Sequence, residues 1–306
     1  MKRDRDMFNE LVTVIITTYK RPYKMLYRAI ESVLNQSYKK IELIIVDDSP
    51  SEYEERENIK KNINFIEDDR IKYIQHEANR GGCAARNTGI KNSNGKLIAF
   101  LDDDDEWIEY KLEKQIKYMF QNNVDLVYCA WQDYIDKDNK KNIKGKVHTQ
   151  LFKENNIYNL LKCNYIGSTS FVLTKRNCFV KCGMFNEKLR SCQDWEMWLR
   201  ISKYFKIGCV NEVLVKYHIH SSERITSNAK NRIQGHEFIL KEYYEYIYKN
   251  PEILRINLQR LAKFYADDRK YMKSIKMWRM ATVLKPFSFR DNLISLLKIG
   301  IRIRLN

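Results

Sequence analysis

Four consecutive aspartates, Asp102 to Asp105, follow directly on the apolar run LIAFL (97–101). A run of like charge is most often a solvated loop. At the end of a buried strand, however, adjacent carboxylates repel one another and call for a counter-charge. A divalent cation supplies it, and carboxylate oxygens select a hard ion, Mg2+ or Mn2+. Two more apolar runs end in polar residues: VTVIIT (12–17) leads through Thr17 to Tyr19, and ELIIV (42–46) leads to Asp47 and Asp48. Taken singly these are helix caps or turn residues. Taken together they offer an aromatic face, a hydroxyl and carboxylates, which suit the base and ribose of a nucleoside.

Other groups have two readings each. Asp194 opens an amphipathic stretch (Trp195, Trp198, Leu199, Ile201), where it is either an acid at a helix start or a proton acceptor far along the chain from the aspartates. His218 and His220 alternate at the end of an apolar run; a neutral imidazole there can join a metal shell or bind diphosphate, or the pair can decorate an edge strand. His220 is the stronger metal candidate. Trp107 and Trp131 can offer a ring face to a ligand or fill the core. Several alternatives lack their signature. There is no GxGxxG, and the stretch from Gly89 to Gly95-Lys96 has five intervening residues and Leu97 where a phosphate-cradling loop needs Ser or Thr. The seven cysteines include no CxxC pair, which argues for reduced core thiols rather than a zinc knuckle or a disulfide framework.

The elements that must hold these groups are legible as alternation. The spacing predicts short strands at 12–17, 42–46, 71–74 and 96–101, the first of them continuous and β-branched as in a strand buried on both faces. Between them it predicts helices at 24–36 (Met25, Ala29, Ile30, Val33 and Leu34 on one face), 51–62 and 83–92. Strands alternating with helices make a mostly parallel α/β sheet, whose ligands bind at the carboxyl ends of the strands. Each polar cluster named above lies at such an end. Beyond Glu106 the pattern loosens: a helix at 108–121, a strand at 124–130, a polar stretch at 136–148, a helix near 157–163, a strand near 169–174, a helix near 194–205 and a strand near 213–219. The remainder reads as helical. Residues 253–286 resemble a single tetratricopeptide hairpin, read as a helical pair packed on the catalytic body.

The chain has 306 residues, 44% hydrophobic and 31% charged, with only 10 glycines and 4 prolines. That composition excludes global disorder, collagen-like sequence and a turn-rich all-β protein. The net charge of +16 is uneven, because residues 229–306 hold 17 basic against 7 acidic residues. Residues 292–305 hold Leu293, Leu296, Leu297, Ile299, Ile301 and Ile303 with Lys298, Arg302 and Arg304, a basic amphipathic end suited to an anionic membrane face. Docking on the body is the plain alternative; nucleic acid is not expected, since no nucleic-acid module accompanies the eleven aromatics of the tail. The polar start MKRDRDMFNE has no leader-like apolar core, and no run approaches 18 apolar residues, which predicts a cytoplasmic protein, peripheral on the inner face of the membrane at most.

The ordered segments VTVIITTYKRP (12–22), ELIIVDDSP (42–50), NRGGCAARNTGI (79–90), GKLIAFLDDDDEW (95–107) and QDWEMWLRI (193–201) resemble the successive motifs of family 2 glycosyltransferases. The likeness covers about residues 11–220. It implies a GT-A fold, an inverting transfer and a nucleoside role for Thr17, Tyr19 and Asp48. It further implies that Asp102 reaches ribose and Asp104 a Mn2+ or Mg2+ ion, that Arg86 and Asn87 lie near the nucleotide, and that Asp194 is the base. Two residues depart from the family pattern: Thr17 stands where proline is usual, and Gln193 where many members have Glu before the catalytic Asp. The domains expected are a GT-A catalytic domain at 1–228 (nucleotide half about 11–105, acceptor half about 106–228) and a basic helical region at 229–306. The activity expected is transfer of a sugar from a nucleotide donor, UDP-linked, to a growing surface glycan carried on a lipid. A binding module without turnover and a nucleotidyltransferase remain the competing readings; the latter would release pyrophosphate.

Overall fold

The computed structural model describes residues 9–137, 140–149, 156–219 and 228–284. His220 and the basic end at 292–306 lie outside the described residues. The elements run β1 (Val12–Thr18), α1 (Tyr23–Leu34), β2 (Ile41–Asp47), α2 (Arg56–Asn64), β3 (Ile71–Gln75), α3 (Gly82–Lys91) and β4 (Leu97–Asp102). Next come β5 (Glu106–Trp107), α4 (Lys111–Gln121), β6 (Leu126–Lys137), β7 (Lys140–His148), α5 (Ile157–Lys162), β8 (Leu173–Lys175), α6 (Arg176–Cys182), α7 (Gln193–Ser202) and β9 (Ile207–Ile219). Last are α8 (Ala229–Glu242), α9 (Tyr244–Tyr248), α10 (Pro251–Asp267) and α11 (Tyr271–Val283). The chain groups into two compact units, one of residues 1–156, 165–187 and 197–221, the other of 157–164, 188–196 and 222–306.

The first unit holds the sheet. Its strands follow the order β3-β2-β1-β4-β8-β6-β9-β5, with β7 paired to β6. The four strands expected from the apolar runs, β1 to β4, are parallel, and antiparallel β8 joins them to a second parallel pair, β6 and β9. β1 is buried along its length apart from the partly exposed Thr17; of its other threonines, the Thr13 hydroxyl bonds Glu42 at 2.6 Å and the Thr18 hydroxyl bonds Asp103 at 2.7 Å. On α1 the buried stripe is Leu26, Ala29, Ile30 and Val33, with Leu26 in the place expected of Met25. Helix α3 lies tight on β1: a Cβ at Gly89 would stand 2.5 Å from Ile15 Cγ2, so glycine is what lets the helix approach.

Several expectations need correction. The polar stretch 136–148 is not irregular; β6 and β7 form an antiparallel hairpin there. β9 starts at Ile207 rather than 213, in a parallel ladder with β6 that runs from Leu126↔Ile207 to Ile135↔Ile219. β7 is largely polar in sequence, and Asn211 and Glu212 interrupt β9 between Val210 and Val213, so neither stretch gives an unbroken apolar run. The expected strand at 169–174 is a 3-10 turn at Thr169–Phe171 followed by the short β8. Helix α6 and the two-residue β5 were not anticipated.

Among the described residues the regular elements of the second unit are helices. Asn250 caps α10 by accepting the Ile253 N–H, and Pro251 occupies the first turn. α10 and α11 form a hairpin in which the Ser274 hydroxyl donates to the Ala262 carbonyl at 2.7 Å. Asn257, buried on α10, donates to the Leu161 carbonyl of α5 at 3.0 Å. His236 of α8 packs edge-on to Trp195 and Phe264, with centroids at 5.2 and 4.8 Å. Burial, assisted by the Arg260 charge, pushes its imidazole down to about 4. The folded ring therefore refuses a proton that the unfolded chain accepts below about pH 6.5. Stability is complete above that pH and declines as pH falls toward about 4, by about 3 kcal/mol in all. In urea titrations at pH 7 and pH 5, His236→Gln should lose less stability on acidification than the wild type; an equal loss would show that another group carries the slope.

Candidate active site

Parallel register brings three strand ends level. Thr17 of β1 lies opposite Val46 of β2 and Asp102 of β4, and Thr18 opposite Asp47. Thr17, Asp48 and the aspartate run therefore emerge on one edge of the sheet, as expected. Tyr19 follows on the β1–α1 loop with 45% of its surface exposed. Lys20 turns that loop through a left-handed φ of 47°, and its N–H donates to Ser49 Oγ at 2.8 Å, tying the first strand end to the second.

Asp48 is 3% exposed. Its Oδ1 lies 2.7 Å from His76 Nδ1 and accepts the Arg80 N–H at 2.8 Å, while Oδ2 accepts the Gly81 N–H at 2.7 Å. His76 Nε2 in turn meets Thr88 Oγ1 at 2.9 Å. The carboxylate thus braces the loop that enters α3, where Gly81 adopts a φ of 90° that a side chain would strain. Asp47, also buried, accepts the Tyr73 hydroxyl at 2.6 Å and the Ser49 N–H at 2.9 Å.

The four aspartates form a turn closed by the Asp105 N–H on the Asp102 carbonyl, 3.1 Å. They divide into two pairs. Asp103 and Asp105 are buried, at 5% and 0% exposure, whereas the Asp102 and Asp104 side chains retain 31% and 25%. Asp103 accepts the Thr18 hydroxyl at 2.7 Å and Arg21 Nε at 2.9 Å; burial pushes its carboxyl up to about 7, against the pull of Arg21. Asp105 accepts the Ser170 hydroxyl at 2.6 Å and the His218 N–H at 3.1 Å, and burial holds its carboxyl well above the usual range. Asp102 accepts Arg86 Nη2 at 3.0 Å and the hydroxyls of Ser168 and Thr169 at 3.0 and 3.3 Å. Asp104 accepts Arg21 Nη2 at 3.2 Å, and its carbonyl takes Arg28 Nη2 at 2.7 Å. The counter-charge that the run demanded is thus supplied in part by arginines. The half-open pair still has the donor chemistry for a hard divalent ion: two carboxylates from the chain, leaving the remaining positions to water and phosphate oxygens.

The other candidates separate. Arg86 joins the site through Asp102. Asn87 is 5% exposed, and its amide is taken up by the loop at 185–187: it donates to the Phe185 carbonyl at 2.9 Å and Glu187 Oε1 at 2.8 Å, and accepts the Phe185 N–H at 2.9 Å. His218 is buried, with Nε2 2.9 Å from Glu106 Oε1, so it props the turn rather than opening toward a ligand. Burial pushes the Glu106 carboxyl up, but His218, Lys216 and Arg28 outweigh it and hold it at about 2. Trp107 is core, its indole N–H on the Ser170 carbonyl. Trp131 has both faces covered, by Phe171 at 4.4 Å and His148 at 4.7 Å, which leaves no face for a sugar. Asp194 lies in the second unit, in the first turn of α7. Its Oδ1 accepts the Trp195 N–H at 2.7 Å and its Oδ2 faces Asn164 Nδ2 at 3.4 Å.

Sequence reasoning missed Arg21, Arg28, Glu106 and the hydroxyl trio Ser168, Thr169 and Ser170. The arginines carry a recognisable signal, lying seven residues apart beside the first strand end. The hydroxyls do not, because they meet the turn only through the fold.

Comparison with known proteins agrees with this geometry. Residues 13–187 match the sequence profile described as Glycosyl transferase family 2. An uncharacterized glycosyltransferase of Methanocaldococcus jannaschii is 33% identical over 242 residues, covering 78% of this chain and 81% of that protein. The Escherichia coli protein named UDP-Glc:alpha-D-GlcNAc-diphosphoundecaprenol beta-1,3-glucosyltransferase WfgD is 32% identical over 242 residues, covering 78% and 88%. Among solved structures, residues 1–349 of S. aureus TarS in complex with UDP-GlcNAc superpose with a TM-score of 0.63 at 15% identity, covering 96% of this chain and 89% of that one. That likeness is one of fold, the mostly parallel sheet with flanking helices of the GT-A type.

Proposed function

The chain belongs to glycosyl transferase family 2, and from that premise we propose that it transfers a sugar from a UDP-linked donor, with inversion, to a lipid-linked surface glycan under assembly. The observation that carries this reading is the edge where three strand ends meet: Thr17 and Tyr19, the braced Asp48, and the half-open Asp102 and Asp104 beside Arg86. The named activity of the E. coli relative favours UDP and a diphosphate-linked lipid acceptor.

In this reading Tyr19 and Thr17 meet the nucleoside, and Asp48 keeps the adjoining loop in shape. Asp102 would reach the ribose, and Asp104 would hold Mn2+ or Mg2+, which would neutralise charge on the departing diphosphate. Arg86 fixes the Asp102 carboxylate at the ribose side. Asp194 accepts the proton of the acceptor hydroxyl as that oxygen bonds to the anomeric carbon. The bond from that carbon to the diphosphate oxygen breaks, and its electron pair leaves with the nucleoside diphosphate. Whether His220 joins the metal shell is a separate proposal, read from sequence alone.

A panel of nucleotide sugars, incubated with the full chain and Mn2+, tests the reading. UDP should be released from a UDP-sugar, and UDP should raise the melting temperature more than other nucleotides do. Release of pyrophosphate, or no nucleotide response at all, would overturn it. Among the described residues no helix is long and apolar enough to cross a membrane. Access to a lipid-linked acceptor is assigned in this proposal to the basic end, on the cytoplasmic face. Deleting residues 292–306 should weaken binding to anionic vesicles at low salt while UDP affinity holds. Equal partitioning of the full-length and truncated proteins would refute that assignment.

A further inference from the structure

One arginine bridges the two kinds of aspartate in the acidic turn. Arg21 Nε donates to Asp103 Oδ1 at 2.9 Å, and its Nη2 donates to Asp104 Oδ2 at 3.2 Å. The two ends of this fork are unequal. Asp103 is buried and also takes the Thr18 hydroxyl, so the Nε contact is a shielded anchor. Asp104 retains 25% side-chain exposure, so the Nη2 contact is the longer and more hydrated of the two. The main chain around Arg21 has little freedom. Lys20 on one side is held in a left-handed turn by its bond to Ser49, and Pro22 on the other side begins α1 with φ at −56°. Any rearrangement here is therefore a swing of the side chain and not of the loop.

Asp104 is also the carboxylate proposed above to take the divalent ion. A guanidinium and a doubly charged ion on one carboxylate repel each other strongly in a partly buried site. We propose that Arg21 is an internal competitor of the metal: the ion and the Nη2 end of Arg21 are alternative partners of Asp104. Loading the ion frees that N–H group while Nε stays on Asp103, and its nearest new acceptors are the diphosphate oxygens that share the ion. Nucleotide and metal then reinforce one another, because each gives the displaced guanidinium or the displaced charge a place to go. The inference rests on the metal and nucleotide reading of this site.

Mn2+ binding to the full-length protein, read from the EPR signal of the free ion with and without UDP, tests it independently of turnover. Arg21→Gln should tighten Mn2+ binding without UDP by about fivefold or more, the lower range of ordinary coupling between sites, and shrink the further gain that UDP provides. Arg28→Gln removes the same charge from the Asp104 carbonyl and Glu106 instead of from the Asp104 carboxylate, and should shift Mn2+ affinity by less. Arg21→Lys keeps the charge but cannot span both carboxylates with one ammonium, and should fall between wild type and Arg21→Gln. If Arg21→Gln does not fold, Arg21→Lys decides: tighter binding than wild type supports the competition, and equal or weaker binding overturns it. Equal shifts in Arg21→Gln and Arg28→Gln would reduce the effect to net charge and overturn it as well. No Mn2+ binding by the wild type in the presence of UDP would instead bring down the metal reading itself, and the competition with it.

Discussion

Asp194→Asn should lower kcat by about 10²–10⁴-fold, the usual loss when a general base is removed, while UDP affinity stays unchanged. The substitution keeps the side-chain shape and an oxygen to accept the Trp195 N–H, so the first turn of α7 should keep its form. What it removes is the proton acceptor. In the wild type the carboxylate is oriented by two contacts, the Trp195 N–H on Oδ1 and Asn164 near Oδ2, and a base held in place gains more from position than from strength. A purely structural Asp194 would give the reverse pattern, with activity surviving in Asn because Asn caps a helix about as well. Near-normal kcat in a folded variant would remove Asp194 from the mechanism. Glu196, the neighbouring acid, is 2% exposed and would need the helix start to open before it reached a substrate.

The second large effect is expected at Asp104. Asp104→Asn should abolish the metal requirement of UDP binding and lower turnover by about 10³-fold, the several kcal/mol that a metal contributes to stabilising a departing diphosphate. The fold should survive, since the side chain is partly open and an amide oxygen can still accept from Arg21. Chelation of the wild type should give the same phenotype. Full turnover in excess chelator, or a normal metal response in the variant, would overturn the assignment.

The front of the fold was legible because β1, β2 and β4 are largely buried and so appear as mostly apolar runs, while the partly exposed β3 was marked by Ile71, Tyr73 and Ile74. The carboxyl-end rule then located Thr17, Tyr19, Asp48, Asp102 and Asp104 without any tertiary information. The β6–β7 hairpin and the first half of β9 were not legible: β7 is largely polar in sequence, and the short apolar run Ile207–Val210 is cut off from the rest of its strand by Asn211 and Glu212. Individual contacts were less legible than places. The aspartate run implied a counter-charge, and the inference stopped at a metal ion, although Arg21 and Arg86 stood in neighbouring motifs and Arg28 just beyond the first of them. Ser170 had no signal at all: it meets Asp105 across 65 residues, and nothing in its neighbourhood marks it as polar core. Asn87 sits in a motif suggestive of nucleotide contact, yet its amide is engaged by residues almost a hundred positions later, a closure that spacing cannot reveal.

The division of the aspartate turn into an inward and an outward pair gives four chemically identical neighbours different vulnerabilities. An inward position, Asp103 or Asp105, is a folding determinant: each engages a buried hydroxyl, and a substitution there leaves Thr18 or Ser170 without its acceptor in the interior. Such lesions lower the amount of protein a cell accumulates. On the function proposed above, substituting an outward position, Asp102 or Asp104, would leave the amount intact and silence each molecule. A library of single substitutions across 102–105, scored separately for abundance and for glycan output, would therefore read out the turn as alternating blocks, and in a heterozygous or multicopy setting only the outward class would yield stable, inactive copies able to occupy the acceptor.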